Sequence, residues 1–432
     1  VFRGSPIFKA IFPNPVSPNS IIRSMPMQPS IDSSASSSLS RRGFFRLAAG
    51  ASAVAGLPIL TEGHFALAAR PPAADPALCI HIDANENPLG PSDAARQAIA
   101  ETIPHGGRYL REGREEVAAI FARNEGLDPQ SVLPFAGSSE PLHFTVLAFA
   151  DKSKPLVLAD PGYEAPMRAA QAIGAPILKV PLTDPSGCAS HDIKAMLAAA
   201  STPGVIYICN PNNPTGTLTR REDLEYAVAN APKGSLLLID EAYIHFTDAT
   251  PSLDFVRDGK DVIVLRTFSK IYGMAGIRMG LAIGRPDLLK RYGTFNGQLA
   301  LPITSIAAAR ASLLDKDLVP ARKKINAGIR TDTFAWLKSN GYSFTPSESN
   351  CFMLDVSRPG QEVIAGMAAR NVSIGRIFPA WPTHVRITVG TAKEMLAFRE
   401  AFQQVMSQPP AGVLRPANAR ENAAGRSRPT PA

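Results

Sequence analysis

At 432 residues, 45% of them hydrophobic and 19% charged, the chain has ordinary globular composition and room for one large domain beside a smaller one. Its net charge of +8 sits at the ends: residues 1–68 carry six Arg/Lys against two acids and residues 409–432 four Arg against one Glu, leaving about +1 for the body. A nearly neutral body implies no nucleic-acid footprint, and four cysteines (Cys79, Cys188, Cys209, Cys351) without Cys-x-x-Cys spacing offer no metal site.

Residues 1–39 are rich in Ser, Pro and Asn, lack periodicity and read as disordered. Val1 opens the chain while Met25 and Met27 precede the next feature, so translation is expected to start later than residue 1. That feature is Ser40-Arg-Arg-Gly-Phe-Phe-Arg46, a weakly apolar stretch over 47–60, and Ala66-Leu67-Ala68, small residues where signal peptidase cuts. The pattern over 40–68 resembles a twin-arginine signal peptide, with Arg41 and Arg42 read by a receptor. It implies export of the folded protein to the periplasm by the twin-arginine machinery. Arg46 and the Gly/Ala content argue against a stable membrane span. An Ala-rich basic helix or an uncleaved anchor is the alternative.

A linker over 71–76 leads to Ile80-His81-Ile82, a short strand, and to the turn-rich loop Asp83-Ala-Asn-Glu-Asn-Pro-Leu-Gly-Pro91. Ser92 then caps a helix over 93–103. Arg108-Tyr109 follows a Gly-Gly loop and precedes an amphipathic helix over 112–124. Phe135-Ala-Gly-Ser-Ser-Glu140 enters an apolar helix over 141–149. There Ser138 and Ser139 make an anion site, since free N–H groups and the helix dipole point outward; a plain cap with Glu140 is the alternative.

Apolar strands follow over 156–159, 204–209 and 235–239, ending at Asp160-Pro-Gly-Tyr163, Asn210-Pro-Asn-Asn-Pro-Thr-Gly216 and Asp240-Glu-Ala-Tyr243. A fourth, over 261–265, runs into Arg266-Thr-Phe-Ser-Lys-Ile-Tyr-Gly-Met-Ala-Gly-Ile-Arg-Met-Gly280. In that loop Ser269 and Arg278 flank Lys270, and Gly273, Ala275, Gly276 and Gly280 let backbone approach a ligand. An ammonium beside a fixed cation is pushed toward its neutral, nucleophilic form. The loop reads as a phosphate pocket with a Schiff-base lysine. Strands alternating with helices over 104–300 predict a large, doubly wound, mostly parallel α/β domain, with the polar groups just past strand ends. No Gly-x-Gly-x-x-Gly follows a strand, which disfavours a nicotinamide enzyme.

Residues 301–406, joined by 69–103, are expected to form a smaller α+β domain. Residues 318–339 read as one long basic amphipathic helix or two short ones. A strand over 349–355 carries Asn350, and one over 385–389 has Arg386 on one face and Val385, Ile387 and Val389 on the other. An Arg inside a strand needs a partner. Arg376 follows Ile374-Gly375, and residues 407–432 read as a disordered tail.

Ser269-Lys270-x-x-Gly273-x-Ala275-Gly276-x-Arg278-x-Gly280 resembles the cofactor-lysine signature of class I/II, fold-type I, pyridoxal-phosphate aminotransferases. Gly137-Ser-Ser-Glu140, Asn213-Pro-Thr-Gly216 and Asp240-x-x-Tyr243 stand in that family's order, and Asn85-Glu-Asn-Pro-Leu-Gly-Pro91 is similar to its histidinol-phosphate subgroup. The resemblance spans roughly residues 80 to 406. It implies pyridoxal 5′-phosphate as cofactor and transfer of an amino group between an amino acid, or an amine such as histidinol phosphate, and a 2-oxo acid.

The same resemblance implies roles. Lys270 would be the Schiff-base lysine and general acid/base; Asp240 would hold the pyridine nitrogen protonated; Asn213 and Tyr243 would meet the phenolic oxygen, and Tyr163 would stack on the ring. Ser138, Ser139, Thr267, Ser269 and Arg278 would bind the phosphate, joined by Tyr109 of the partner in a homodimer. Arg386 would fork onto the substrate's anionic end, with Arg376 as a second anion-binding arginine and Asn350 at the substrate. Leu110 and Pro166 stand where the subgroup usually has proline and tyrosine. Decarboxylation or β-elimination with the same cofactor is one alternative. Non-catalytic cofactor binding is another, against which the intact Lys270, Asp240 and Arg386 set argues.

Overall fold

The computed structural model describes residues 59, 61–109, 112–183, 189–295 and 300–409; the expected N-terminal disordered region, most of the leader and the tail beyond 409 lie outside the described residues. Eleven strands are described: β1 (Ile80–Ile82), β2 (Val132–Phe135), β3 (Leu156–Asp160), β4 (Ile177–Pro181), β5 (Val205–Cys209), β6 (Leu236–Asp240), β7 (Val262–Thr267), β8 (Gly280–Gly284), β9 (Cys351–Asp355), β10 (Val372–Ile374) and β11 (His384–Thr388).

Strands β2 to β8 form one sheet in the order β2-β8-β7-β6-β5-β3-β4. The run from β7 to β4 is parallel, and β8 and β2 add an antiparallel edge. Every residue of β5, β6, β7 and β8 is buried. Helices cover both faces of such a sheet, so its strands need unbroken Val/Ile/Leu runs rather than alternation. That is why the four apolar runs are legible as strands. The other three escaped. Pro134 interrupts β2; β4 is a half-exposed edge strand with Lys179 inside it; and β8, Gly280-Leu-Ala-Ile-Gly284, merges in composition with the lysine loop before it.

A second apolar cluster joins Ile82 of β1 to β9, β10, β11 and the helices Gly360–Ala368 and Ala392–Met406. There β1 pairs in parallel with β10, and β9 antiparallel with β11. The helix Asp93–Thr102, with Ser92 Oγ accepting from the Ala95 N–H, packs against Ile303–Leu314, and both feed the first cluster. Packing therefore differs from the boundaries read at 103 and 301. Ile303–Leu314 is Ala-rich and buries Ile306, Ala308, Ala309 and Leu313 in the large core. The clusters change hands along Leu318–Ser339, a single helix with Leu318 in the first and Leu337 in the second. Pro320 falls in its first turn, where a missing N–H breaks no ladder. Among the described residues no helix is long and apolar enough to cross a membrane.

Candidate active site

Parallel strands present their C-terminal ends to one crevice, and the turn after β7 carries Lys270 into it. The side chain is 7% exposed. Its Nζ donates to the carbonyls of Asn85 (2.9 Å) and Ala84 (3.4 Å), and stands 5.5 Å from the centroid of the Tyr243 ring. Burial pushes the ammonium below its ordinary value; Glu62 pulls it back and Arg386 pushes it further down. Arg386, distant in sequence, thus acts on the lysine, while Arg278 lines the same cavity.

Asp240 ends β6, fully enclosed, and accepts from the Tyr207 hydroxyl (2.9 Å) and the Ala242 N–H (3.1 Å). Burial pushes its carboxyl up to about 6, with those two hydrogen bonds and Lys270 opposing. The Tyr243 hydroxyl accepts from Asn85 Nδ2 (3.0 Å).

Across the crevice, Ser138 precedes and Ser139 begins the helix Ser139–Phe149, whose first N–H groups are unpaired by the helix itself. Arg278, held in the left-handed region at φ 68°, donates to Ser269 Oγ (3.3 Å) and to the Ala275 carbonyl (3.0 Å). Two glycines make this close approach possible. A Cβ on Gly137 would lie 2.0 Å from Arg278 Nη2, and one on Gly280 would lie 2.4 Å from the Ser138 nitrogen. Hydroxyls, helix N-terminus and guanidinium on one side, buried carboxylate and lysine on the other, surround a cavity of about 180 Å³. This donor set fits a phosphate, a pyridine nitrogen and an aldehyde.

The remaining wall comes from the second cluster. Arg386 of β11 is wholly buried and donates to Glu62 Oε1 (2.7 Å), Asn213 Oδ1 (2.9 Å) and the Asp83 carbonyl (2.5 Å). Arg376 reaches the same Glu62 oxygen (3.3 Å), pairs with Glu164, and lies over the rings of Phe378 (4.4 Å) and Phe65 (5.0 Å). Asn213 Nδ2 donates to Glu62 Oε2 (3.0 Å). Burial alone would raise the Glu62 carboxyl, but Arg386 and Arg376 overcome it and hold the group at about 2.

The family model for aminotransferase class I and II matches residues 79–402. This chain is a class I and II aminotransferase. The aminotransferase is 32% identical over 342 residues to histidinol-phosphate aminotransferase of Moorella thermoacetica, covering 76% of this chain and 86% of the relative. It is 31% identical over 363 residues to the aromatic amino acid aminotransferase of Cutibacterium acnes, covering 82% and 97%. In fold it matches histidinol-phosphate aminotransferase of Sinorhizobium meliloti, solved with pyridoxal-5′-phosphate, at TM-score 0.72 and 23% identity over 82% of this chain and 96% of that one. The fold is the fold-type I architecture, the cofactor pyridoxal 5′-phosphate and the reaction transamination.

In this aminotransferase Ser138, Ser139, Tyr163, Asn213, Asp240, Tyr243, Thr267, Ser269, Lys270 and Arg278 line one cavity, and Arg386 and Arg376 meet beside it. Asn350 is not among the residues lining that cavity; its Nδ2 donates to the carbonyls of Asn85 (3.2 Å) and Glu86 (3.3 Å), in the loop that holds Lys270. Tyr109 is 78% exposed and outside the cavity lining. Cys209 and Cys351 are buried with thiols pushed up by burial, and both also face the site. Cys209 lines the cavity, and Cys351 Sγ accepts from Asn85 Nδ2 (3.2 Å).

Two residues, Tyr207 and Glu62, were missed, and Asn85 was named only as the start of the Asn85–Pro91 run. Asn85, at φ 52°, turns the loop so that its carbonyl faces Lys270 and its amide faces Tyr243; its left-handed backbone suits Asn. Tyr207 was within reach of period two, since it shares a strand face with Cys209 at the strand's end. Glu62 carried no signal, because it lies in the stretch expected to leave with the leader.

Proposed function

We propose that this aminotransferase takes its amino group from a donor with an anionic end, works as a homodimer, and is exported folded to the periplasm. One observation carries the donor class: Arg386, Arg376 and Asn213 converge on a single buried carboxylate beside Lys270. Two guanidiniums and an amide make a forked, charge-assisted seat for a carboxylate or phosphate.

Bound pyridoxal phosphate supplies an aldehyde for the donor amine and a protonated ring that draws electrons from Cα. Asp240 keeps the ring nitrogen protonated, and Tyr207 and the Ala242 N–H hold its carboxylate in place. Asn213 and Tyr243 serve the phenolic oxygen and Tyr163 covers the ring. Ser138, Ser139, Thr267, Ser269 and Arg278 anchor the phosphate. Lys270, buried and drawn toward the neutral amine, accepts and moves the proton at the donor's Cα.

Support for export is the Arg41-Arg42 motif, which lies outside the described residues, followed by Ala66-Leu67-Ala68. Twin-arginine transport carries folded proteins, which suits an enzyme that loads its cofactor first. Support for the dimer is Tyr109, an exposed aromatic where the family uses the partner's tyrosine at the phosphate.

The test is a panel of amino donors and 2-oxo acids on purified, cofactor-loaded protein, beginning with histidinol phosphate and aromatic amino acids. Donors carrying a carboxylate or phosphate should exceed amines without one by at least about tenfold in efficiency, a difference of about 1.4 kcal/mol. Equal use of amines lacking any anionic group would overturn the donor class. No amino transfer to any 2-oxo acid would overturn the function.

A further inference from the structure

The anion seat already holds an anion, and the chain itself provides it. Glu62 opens the helix Glu62–Ala69, and its carboxylate takes hydrogen bonds from Arg386, Arg376 and Asn213, the three groups that would bind the donor's acidic end. One turn on, Phe65 packs edge-on to Tyr163 with centroids 6.1 Å apart and lies beneath the Arg376 guanidinium. Ala66 is buried while Leu67 is 67% exposed, so only one face of the helix is docked. Thr61, Glu62 and Gly63 line the same cavity as Lys270 and Asp240.

An eight-residue helix with Gly63 in its first turn has no stability of its own in water. Docking must hold it, through Phe65, buried Ala66 and the Glu62 carboxylate that meets two guanidiniums. A buried carboxylate stripped of its partners is strongly disfavoured, so the segment's hold depends on Arg386 and Arg376 remaining free for it. A donor's anion needs the same N–H groups. Two anions cannot share that seat.

We propose that residues 61–69 are an internal plug: Glu62 is a tethered competitor for the donor's anion subsite, and an anionic donor binds only as the segment lifts out. This rests on the donor class proposed above. It extends to processing. Ala66-Leu67-Ala68, the expected signal-peptidase site, lies on the C-terminal side of Glu62 and within the docked helix. Cleavage there would carry Glu62 and Phe65 away with the leader. Arg70, paired with Asp83 at 2.7 Å, would stay with the body. The leader-bearing enzyme would then be held weak toward anionic donors until it is processed.

The test uses the full-length, cofactor-loaded protein and succinate, an unreactive dicarboxylate, as probe. Hydrogen exchange of the backbone over residues 61–69 should rise when succinate saturates the wild type, a measurement that needs no variant. In Glu62→Gln the succinate Kd and the KM for acidic donors should both fall, by about tenfold if the plug is seated nine-tenths of the time. The gain should vanish in the Glu62→Gln/Arg386→Ala double variant. Unchanged exchange with succinate bound, or a weaker succinate Kd in Glu62→Gln, would overturn the plug and make Glu62 a fixed part of the pocket. Absence of transamination in every form would sink the functional reading alone, because exchange and succinate binding are read without turnover.

Discussion

The two walls of the crevice are built differently. The cofactor wall is assembled from the ends of adjacent strands of one sheet: Asp240 from β6, Lys270 after β7, Tyr163 after β3, with the Ser138–Ser139 helix opening beside β8. Each residue sits within a few positions of an apolar run that fixes where it must emerge. The donor wall brings Glu62, Asn213, Arg376 and Arg386 together from both apolar clusters, and it closes only when β1 has paired with β10 and β11 with β9. A rigid sheet presents the first wall, and packing between distant segments sets the second. The cofactor groups are thus set by neighbouring strand ends, while the proposed donor contacts depend on segments far apart in sequence.

The largest effect should come from the rigid wall. Lys270→Ala is expected to lower kcat by at least about 10³-fold, consistent with losing a positioned acid/base together with the cofactor's anchor. Borohydride should then fix no cofactor to the protein. Fixation of cofactor to a different lysine in the wild type would dismantle the assignment.

Next comes the selective wall. Arg386→Ala should cost about 2–5 kcal/mol in kcat/KM with carboxylate-bearing donors, and far less with a donor that lacks an anion. It also deprives Glu62 of its nearest cation, so that carboxyl should rise from about 2 toward the ordinary range. Equal efficiency of mutant and wild type on acidic donors would shift the anion seat to Arg376.

A pH profile sharpens the first wall. Without cofactor, burial raises the Asp240 carboxyl to about 6. In the proposed role, the ionised form is the one that would pair with the protonated pyridine nitrogen. Cofactor affinity should therefore be full above about pH 6 and fall as pH drops through it, by up to about tenfold per unit. Asp240→Asn should remove that inflection. Tyr207→Phe should move it upward, since the Tyr207 hydrogen bond is among the effects lowering that carboxyl. An inflection unmoved by either change, read from cofactor absorbance in a titration, would assign it to another group.

The smallest expected effect is the recovery from mixing subunits. If Tyr109 serves the partner's phosphate site, dimers mixed from Lys270→Ala and Tyr109→Ala contain one intact site in two. Random exchange then restores roughly a quarter of normal activity. Should Tyr109→Ala alone be clearly impaired, yet verified mixed dimers show no recovery beyond the parents' average, Tyr109 would act within its own subunit.

By itself the sequence determined the four central parallel strands and the residues just past their ends. Buried strands must be continuously apolar, so their ends are visible, and ligand groups in such a sheet fall just past those ends: Asp240, Asn213 and Lys270 were each readable in this way. Tertiary structure decided the rest. Arg386 was legible as a strand arginine in need of a partner, but not which partner. That Glu62 would answer it, from a helix too short to be stable undocked, follows from the docking of residue 62 onto residue 386 and from the cost of leaving either charge buried alone. The same holds for the distant cation beside Lys270: Arg386 is far away in sequence, and only the folded chain brings its guanidinium within electrostatic reach of the lysine.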